Sequence, residues 1–395
     1  MRSKKQVLFF ACIVLVLILF FVFPTLLNLR GTSSIPHRNL LDTKISQYSD
    51  KHITPNAVAT NLEFKNIAFD TNVPEPYFFQ NQIATVIRAV KFFASPIKKE
   101  DGIKEYGSWI WTPIMRITPE YTESILSDAK ADGVNTIYIS IDSYLDIFVM
   151  KKGGEREKQK DIFSKKLEYF INSANQKGIE VDAEAGWRNW AEEDNIYKAF
   201  AVVNFVKIFN KTHQNKFRGF QYDVEPYLLD SYEKNKAEVL KNFVELVDKT
   251  EYFLATSTLR FSVVIPDFYD KKDGLTPKFS YSGKKDFAFG HLLDILDKKQ
   301  NSSIIIMSYR NFAEGEDGAI EITKNEMQTA NSGKYKTKII IAQETGDVPP
   351  PYITFHDTSK KYLTWQIEKI NTAFNPYSNF GGIAIHYANT LVALK

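Results

Sequence analysis

The sequence predicts an α/β protein, a (β/α)8 TIM barrel behind an N-terminal transmembrane anchor and a short extension. Three observations lead there: eight short β-rich runs after residue 105, helical spacing between them, and one long apolar run at the start. Strands alternating with helical crossovers form a parallel sheet covered by helices, and eight such units close on themselves. The expected division is an anchor over residues 1–30, a stalk and extension over 31–105, and a catalytic barrel over 106–395.

Arg2, Lys4 and Lys5 precede an apolar stretch over residues 7–23, continued by Leu26, Leu27 and Leu29. A helix needs roughly 20 apolar residues to cross a bilayer. The cationic flank stays in the cytoplasm, which puts the barrel outside it and makes the membrane a partner. No small-x-small cleavage site follows the run, so an uncleaved anchor is the expectation and secretion after signal cleavage the alternative. Cys12, the only cysteine, lies inside this run, which leaves the exported part without thiols for disulfides or metal.

The segment 31–105 contains Pro36, Pro55, Pro74 and Pro76 among polar residues and reads as a stalk. Within it Ile83, Val86, Ile87, Val90 and Phe93 recur at helical spacing, predicting an amphipathic helix over 81–93. The chain ends eight residues after Tyr387, too soon for a full eighth helix, so this earlier helix is expected to cover part of that gap.

The eight predicted strands are 108–112, 135–142, 179–185, 219–225, 260–267, 304–310, 338–345 and 382–387. Thr118, Pro119 and Gly133 supply a cap, an N1 proline and a terminal glycine for the first helix. Residues 359–374 place Tyr362, Trp365, Ile367 and Ile370 among lysines at helical spacing.

Composition excludes several function classes. The 395 residues are 44% hydrophobic, 14% aromatic and 25% charged, which is globular. A net charge of +3 spread over mixed-sign segments offers no basic stripe for a phosphate backbone, so nucleic acid is not an expected partner. No His-Glu-x-x-His or related metal spacing occurs among the six histidines, and no glycine-rich phosphate loop follows a strand. Gly153 and Gly154, in a lysine-rich stretch, read as a turn. No cofactor or metal is expected.

Barrel active sites lie at the C-terminal ends of the strands. The fourth strand reads Gly219-Phe220-Gln221-Tyr222-Asp223-Val224-Glu225-Pro226-Tyr227, and period-two alternation puts Gln221, Asp223 and Glu225 on one face. The apolar set on the other face suits the helix layer, so the polar set points into the barrel mouth. Ionisable groups on an inward face are costly unless used or paired; pairing with Arg188 or Arg310 is the plain structural reading. The seventh strand ends in Gln343 and Glu344, the third carries Asp182 and Glu184, and Asp142 ends the second. Asp267, Tyr309 and His386 finish the fifth, sixth and eighth, with Arg310 and Tyr387 beside them. Trp111, Trp187, Trp190 and Tyr227 are candidate platforms for sugar rings.

Glycoside hydrolysis needs an acid to protonate the leaving oxygen and a second group to attack or stabilise the oxocarbenium-like centre. Neighbouring acids raise one another's pKa, keeping one protonated near neutral pH. Glu225 beside Asp223 suits the first role and Glu344 the second.

The fourth strand resembles the signature of family 18 chitinases, Asp-Gly-x-Asp-x-Asp-x-Glu, through Gly219, Asp223 and Glu225, and Met307-x-Tyr309 resembles that family's tyrosine segment. The resemblance implies that Glu225 protonates the leaving oxygen, Asp223 orients an acetamido nucleophile of the substrate, and Tyr309 assists. Arg218 and Gln221 stand where the family has aspartates, Arg310 where an aspartate follows the tyrosine, and His386 with Tyr387 where it has tryptophan. Glu225 and Glu344 also resemble the acid/base and nucleophile of clan A retaining glycosidases, although Val224 replaces the asparagine before the first. A further likeness is to bacterial barrel proteins that combine Asp-Val-Glu-Pro-Tyr with Glu-Thr. The implied activity is hydrolysis of an extracellular or cell-envelope polysaccharide. The competing expectation is a catalytically silent barrel that binds glycan or a partner protein at the envelope.

Overall fold

A computed structural model describes residues 104–270 and 275–395. The apolar run, the stalk and the helix expected over 81–93 lie outside the described residues. Among the described residues no helix is long and apolar enough to cross a membrane.

Eight parallel strands close in the order β1-β10-β9-β8-β5-β4-β3-β2. They are β1 (Glu105–Ile110), β2 (Thr136–Ser140), β3 (Glu180–Ala185), β4 (Gly219–Tyr222), β5 (Arg260–Pro266), β8 (Ser303–Met307), β9 (Lys338–Glu344) and β10 (Phe380–His386). The labels β6 (Phe279–Tyr281) and β7 (Lys284–Asp286) belong to an antiparallel hairpin after β5, which the sequence pattern did not reveal. All eight barrel strands fall where alternation predicted them. β1 begins at Glu105, one residue before the expected barrel boundary, and β4 leaves the ladder after Tyr222, so Asp223 and Glu225 stand on the loop above it.

Helices fill the crossovers: α1 (Pro119–Ala131), α2 (Tyr144–Phe148), α3 (Gly154–Gln176), α4 (Ile196–Thr212), α5 (Tyr232–Leu254), α6 (Ala288–Leu296), α7 (Ala319–Ile322), α8 (Lys324–Ser332), α9 (Lys360–Phe374) and α10 (Ala388–Ala393). α1 starts as its sequence dictates: the Thr118 side chain accepts from the Tyr121 amide, Pro119 takes the first position, and Gly133 follows at φ +89°. Gly153 and Gly154 do not form an isolated turn, because Gly154 opens the 23-residue α3. α9 buries Leu363, Ile367, Ile370 and Phe374, while Trp365 faces outward beneath Lys369. The short α10 packs against α1 and β1.

Every strand sorts its side chains by alternation. Phe220, Tyr222 and Val224 from β4 and its end join Ile137, Ile139, Ala183, Phe261 and Ile341 in the layer shared with the helices. Trp109, Tyr138, Val264, Ile305, Ile340, Ala342 and Ala384 fill the barrel itself. Beneath them the N-terminal end carries an ionic floor. Arg218 donates to Asp182 through Nε (2.8 Å) and Nη2, and through Nη1 to Glu105 (3.0 Å) and Glu180 (2.9 Å). Arg260 and the Tyr138 hydroxyl also reach Glu105. Arg218 is therefore a floor residue.

Candidate active site

The opposite end of the barrel gathers the inward residues at the tops of the strands: Trp111 from β1, Asp142 from β2, Glu184 from β3, Asp223 and Glu225 from β4, Tyr309 from β8, Glu344 from β9 and His386 from β10. Adjacent strands place these acids at neighbouring levels, since Ser140 pairs in register with Glu184, and Glu184 with Gln221. Asp142 and Asp223 each stand one inward position higher.

Among the described residues none of Asp142, Glu184, Asp223 and Glu225 sits in an ion pair, so the salt-bridge reading of this cluster does not hold. Arg310 is committed to Asp317, at 2.9 and 2.7 Å, with Asp267 acting on it through charge. Arg188 approaches closely enough for its charge to act on Glu225.

Burial sets the protonation of the group. It pushes Asp223 up to about 8, with the charges of Glu225 and Asp142 adding to the shift and His386 opposing it. Burial likewise lifts Asp142 to about 7 against the pull of a hydrogen bond from the Gly186 amide (3.2 Å). Glu225 is raised by burial too, while the Tyr227 hydroxyl that donates to it, His386 and Arg188 work the other way. Glu184 is 1% exposed, and burial followed by the charges of Asp142 and Asp223 holds it far above the carboxylate range.

A second unit faces these acids. His386 Nδ1 lies 2.7 Å from Glu344 Oε2, and the indole of Trp111 donates to His386 Nε2 at 2.8 Å. Glu344, 3% exposed, accepts the Gly346 amide on its other oxygen at 2.6 Å. Burial lowers the pKa of His386, but the charge and hydrogen bond of Glu344, with Asp223 and Glu225 behind, raise it overall. Protonating Nε2 sets two N–H groups face to face, so Trp111 opposes what the carboxylates favour. With the indole donating to Nε2, the neutral ring carries its proton on Nδ1, and it is the protonated ring that opposes the rise of Asp223 and Glu225. Tyr309 lies over His386 with ring centroids 6.0 Å apart. Burial, then the charges of Glu344, Asp223 and Glu225, push its hydroxyl up, so the two units converge on it.

Not every candidate reaches the mouth. Gln221 is fully buried below it, accepting the Trp109 indole N–H (2.7 Å) and donating to Ser262 (3.4 Å). Gln343 points outward: its amide donates to Ser308 Oγ and the Ala342 carbonyl, both at 2.9 Å. Trp190 is fully buried against Tyr222 and offers no platform. Trp187 is 38% exposed, with Lys198 5.1 Å above its ring. Tyr227 packs on Phe268 and Tyr269, and Tyr387 stands edge-on to His386.

Gly186 escaped the sequence reading. A Cβ there lies 1.9 Å from the Asp223 carbonyl oxygen, so only glycine lets the end of β3 close on the β4 loop. A glycine directly after a polar strand was the available signal.

No protein-family model matches the sequence, and none of the curated proteins does. Solved structures with a similar backbone include three glycosidases. An endo-1,4-β-D-mannanase from Thermotoga petrophila is 12% identical, covering 72% of this chain and 88% of that one at a TM-score of 0.46. A GH18 chitinase from Pseudoalteromonas aurantia is 12% identical, covering 73% and 97% at 0.45. A family 1 β-glucosidase from Thermotoga maritima is 11% identical, covering 74% and 89% at 0.47. The assignment of the barrel rests on the strand order and register given above.

Proposed function

We propose that this barrel is a glycoside hydrolase acting on an extracellular or cell-envelope polysaccharide, with Glu225 as the general acid. The observation that carries this reading is the pair Asp223 and Glu225 at the mouth, both raised by burial, Asp223 to about 8, with neither in an ion pair among the described residues. Burial that raises a carboxyl's pKa favours the protonated form that departure of an alcohol requires.

The partner role goes to Asp223. Its Oδ1 has no hydrogen-bond partner, and its charge acts on Tyr309 across the mouth. This arrangement supports a substrate-assisted route, in which the acetamido oxygen of an N-acylated sugar attacks the anomeric carbon while Asp223 orients the acetamido group. Glu225 then returns as base to a water that opens the cyclic intermediate. Glu344 has less support as a nucleophile, since both its oxygens are already engaged by Gly346 and His386. The apolar run 7–23 supports a location outside the cytoplasm, tethered to the membrane.

The test is reducing-end release from a panel of N-acetylhexosamine polymers by the native chain and by Glu225→Gln. Release by the first and not by the second supports the hydrolase. Binding without release by either leaves a silent glycan-binding barrel.

A further inference from the structure

The mechanism leaves the most deeply placed acid of the mouth unused. Glu184 is buried on the inward face of β3, with no ion pair among the described residues and only the Ser140 hydroxyl near enough to favour its charge. Its surroundings offer little relief. β2 contributes Ser140 in register and Asp142 above, and β4 contributes Gln221 in register and Asp223 above. The Gln221 amide is taken by Trp109 and Ser262, the Asp182 carboxylate one inward step below by Arg218, and the Gly186 amide by Asp142. The Ser140 hydroxyl favours the charged form, but burial and the two aspartates outweigh it.

A carboxylate in such a place has no cation and a single hydroxyl to offset its burial, so the group is neutral and becomes a donor itself. Asp223 Oδ1, equally buried, lacks a partner as well. A donor without an acceptor and an acceptor without a donor thus stand on adjacent strands.

We propose that Glu184 is a positioning residue for the acid pair, buried and neutral, whose carboxyl O–H donates to Asp223 Oδ1 and fixes that carboxyl group beneath Glu225. Glu184 touches no substrate. It acts by holding Asp223 in one rotamer and by limiting how far burial lifts that group's pKa, while Glu225 gives its proton to the leaving group. The inference rests on the hydrolase reading only where activity is measured.

The first experiment is difference infrared spectroscopy at neutral pH between the native chain and Glu184→Gln, which preserves size and neutrality. Loss of a protonated-carboxyl C=O band in the variant is expected; loss of ionised-carboxylate bands instead overturns the proposal. The second compares the pH profile of kcat/KM in Glu184→Gln and Glu184→Leu. The glutamine retains an N–H donor and keeps the acid limb near its native position. The leucine removes the donor and moves that limb up by about one pH unit, because Asp223 loses a bond that favours its charge. Equal shifts in both variants remove the donor role. The infrared comparison needs no substrate, so a chain that hydrolyses nothing sinks the function, while the role of Glu184 stands or falls on the carboxyl bands alone.

Discussion

Glu344 and His386 form a unit at the ends of β9 and β10: Oε2 of the acid lies 2.7 Å from Nδ1 of the imidazole, and Trp111 closes the far side of the ring. Glu344 is thereby a group that orients its neighbour. Glu344→Gln keeps an acceptor for His386 but removes the charge that lifts its pKa. Roughly ten- to hundredfold lower kcat/KM is expected from the misplaced ring, with any limb of the pH profile that reports His386 moved to lower pH. A covalent nucleophile predicts something else, a loss as deep as that of Glu225→Gln.

Glu225→Gln keeps a group for the Tyr227 hydroxyl to donate to and removes only the transferable proton. Turnover is expected to fall by about 10²–10⁴, with the melting temperature close to native. Steady-state kinetics and a thermal melt decide it, and activity within a factor of a few of native eliminates Glu225 as the acid.

Asp223 ties stability to pH. Its folded pKa, about 8, lies above its ordinary 3.8. The stabilisation is therefore complete below the ordinary value and is lost as pH rises through the folded one. The limiting slope is ~1.4 kcal/mol per pH unit for each extra proton the folded state holds. Chemical denaturation at intervals between pH 4 and 9 is expected to give falling stability for the native chain and a flatter curve for Asp223→Asn. Parallel curves contradict the assignment.

Gly186→Ala tests the contact between strand ends. The added Cβ collides with the Asp223 backbone, and the nearest atom is a carbonyl oxygen that cannot swing aside. Destabilisation of roughly 1–3 kcal/mol is expected, with activity reduced further than stability alone explains. A fully active, native-stability variant rules out the close approach.

Arg218→Met strips the floor of its central cation and leaves Asp182 and Glu105 facing each other in a buried place. About 3–5 kcal/mol of stability is expected to go, measured by urea unfolding. A neutral result means the floor acids find other partners.

Most of the architecture was legible because alternation is a property of the extended backbone: Phe220, Tyr222 and Val224 had to face one way, and Gln221, Asp223 and Glu225 the other. Depth was not legible. Whether an inward residue lies at the floor, the middle or the mouth depends on strand stagger, and so Gln221 proved to be packing below the site and Arg218 a floor cation. Gln343 is a different case. The same alternation that turns Glu344 inward turns Gln343 outward, and nominating both overlooked that rule. The link from Trp111 through His386 to Glu344 joins residues far apart in sequence, which spacing along the chain does not encode.

The packed interior and the arginine-centred floor beneath it leave the strand tops as the end of the barrel where the buried acids gather. On the proposed hydrolase reading a polymer lies across that rim, and each piece departs on the side where the intact chain arrived. On that same reading incoming polymer and outgoing pieces share one rim, and accumulated pieces slow further turnover.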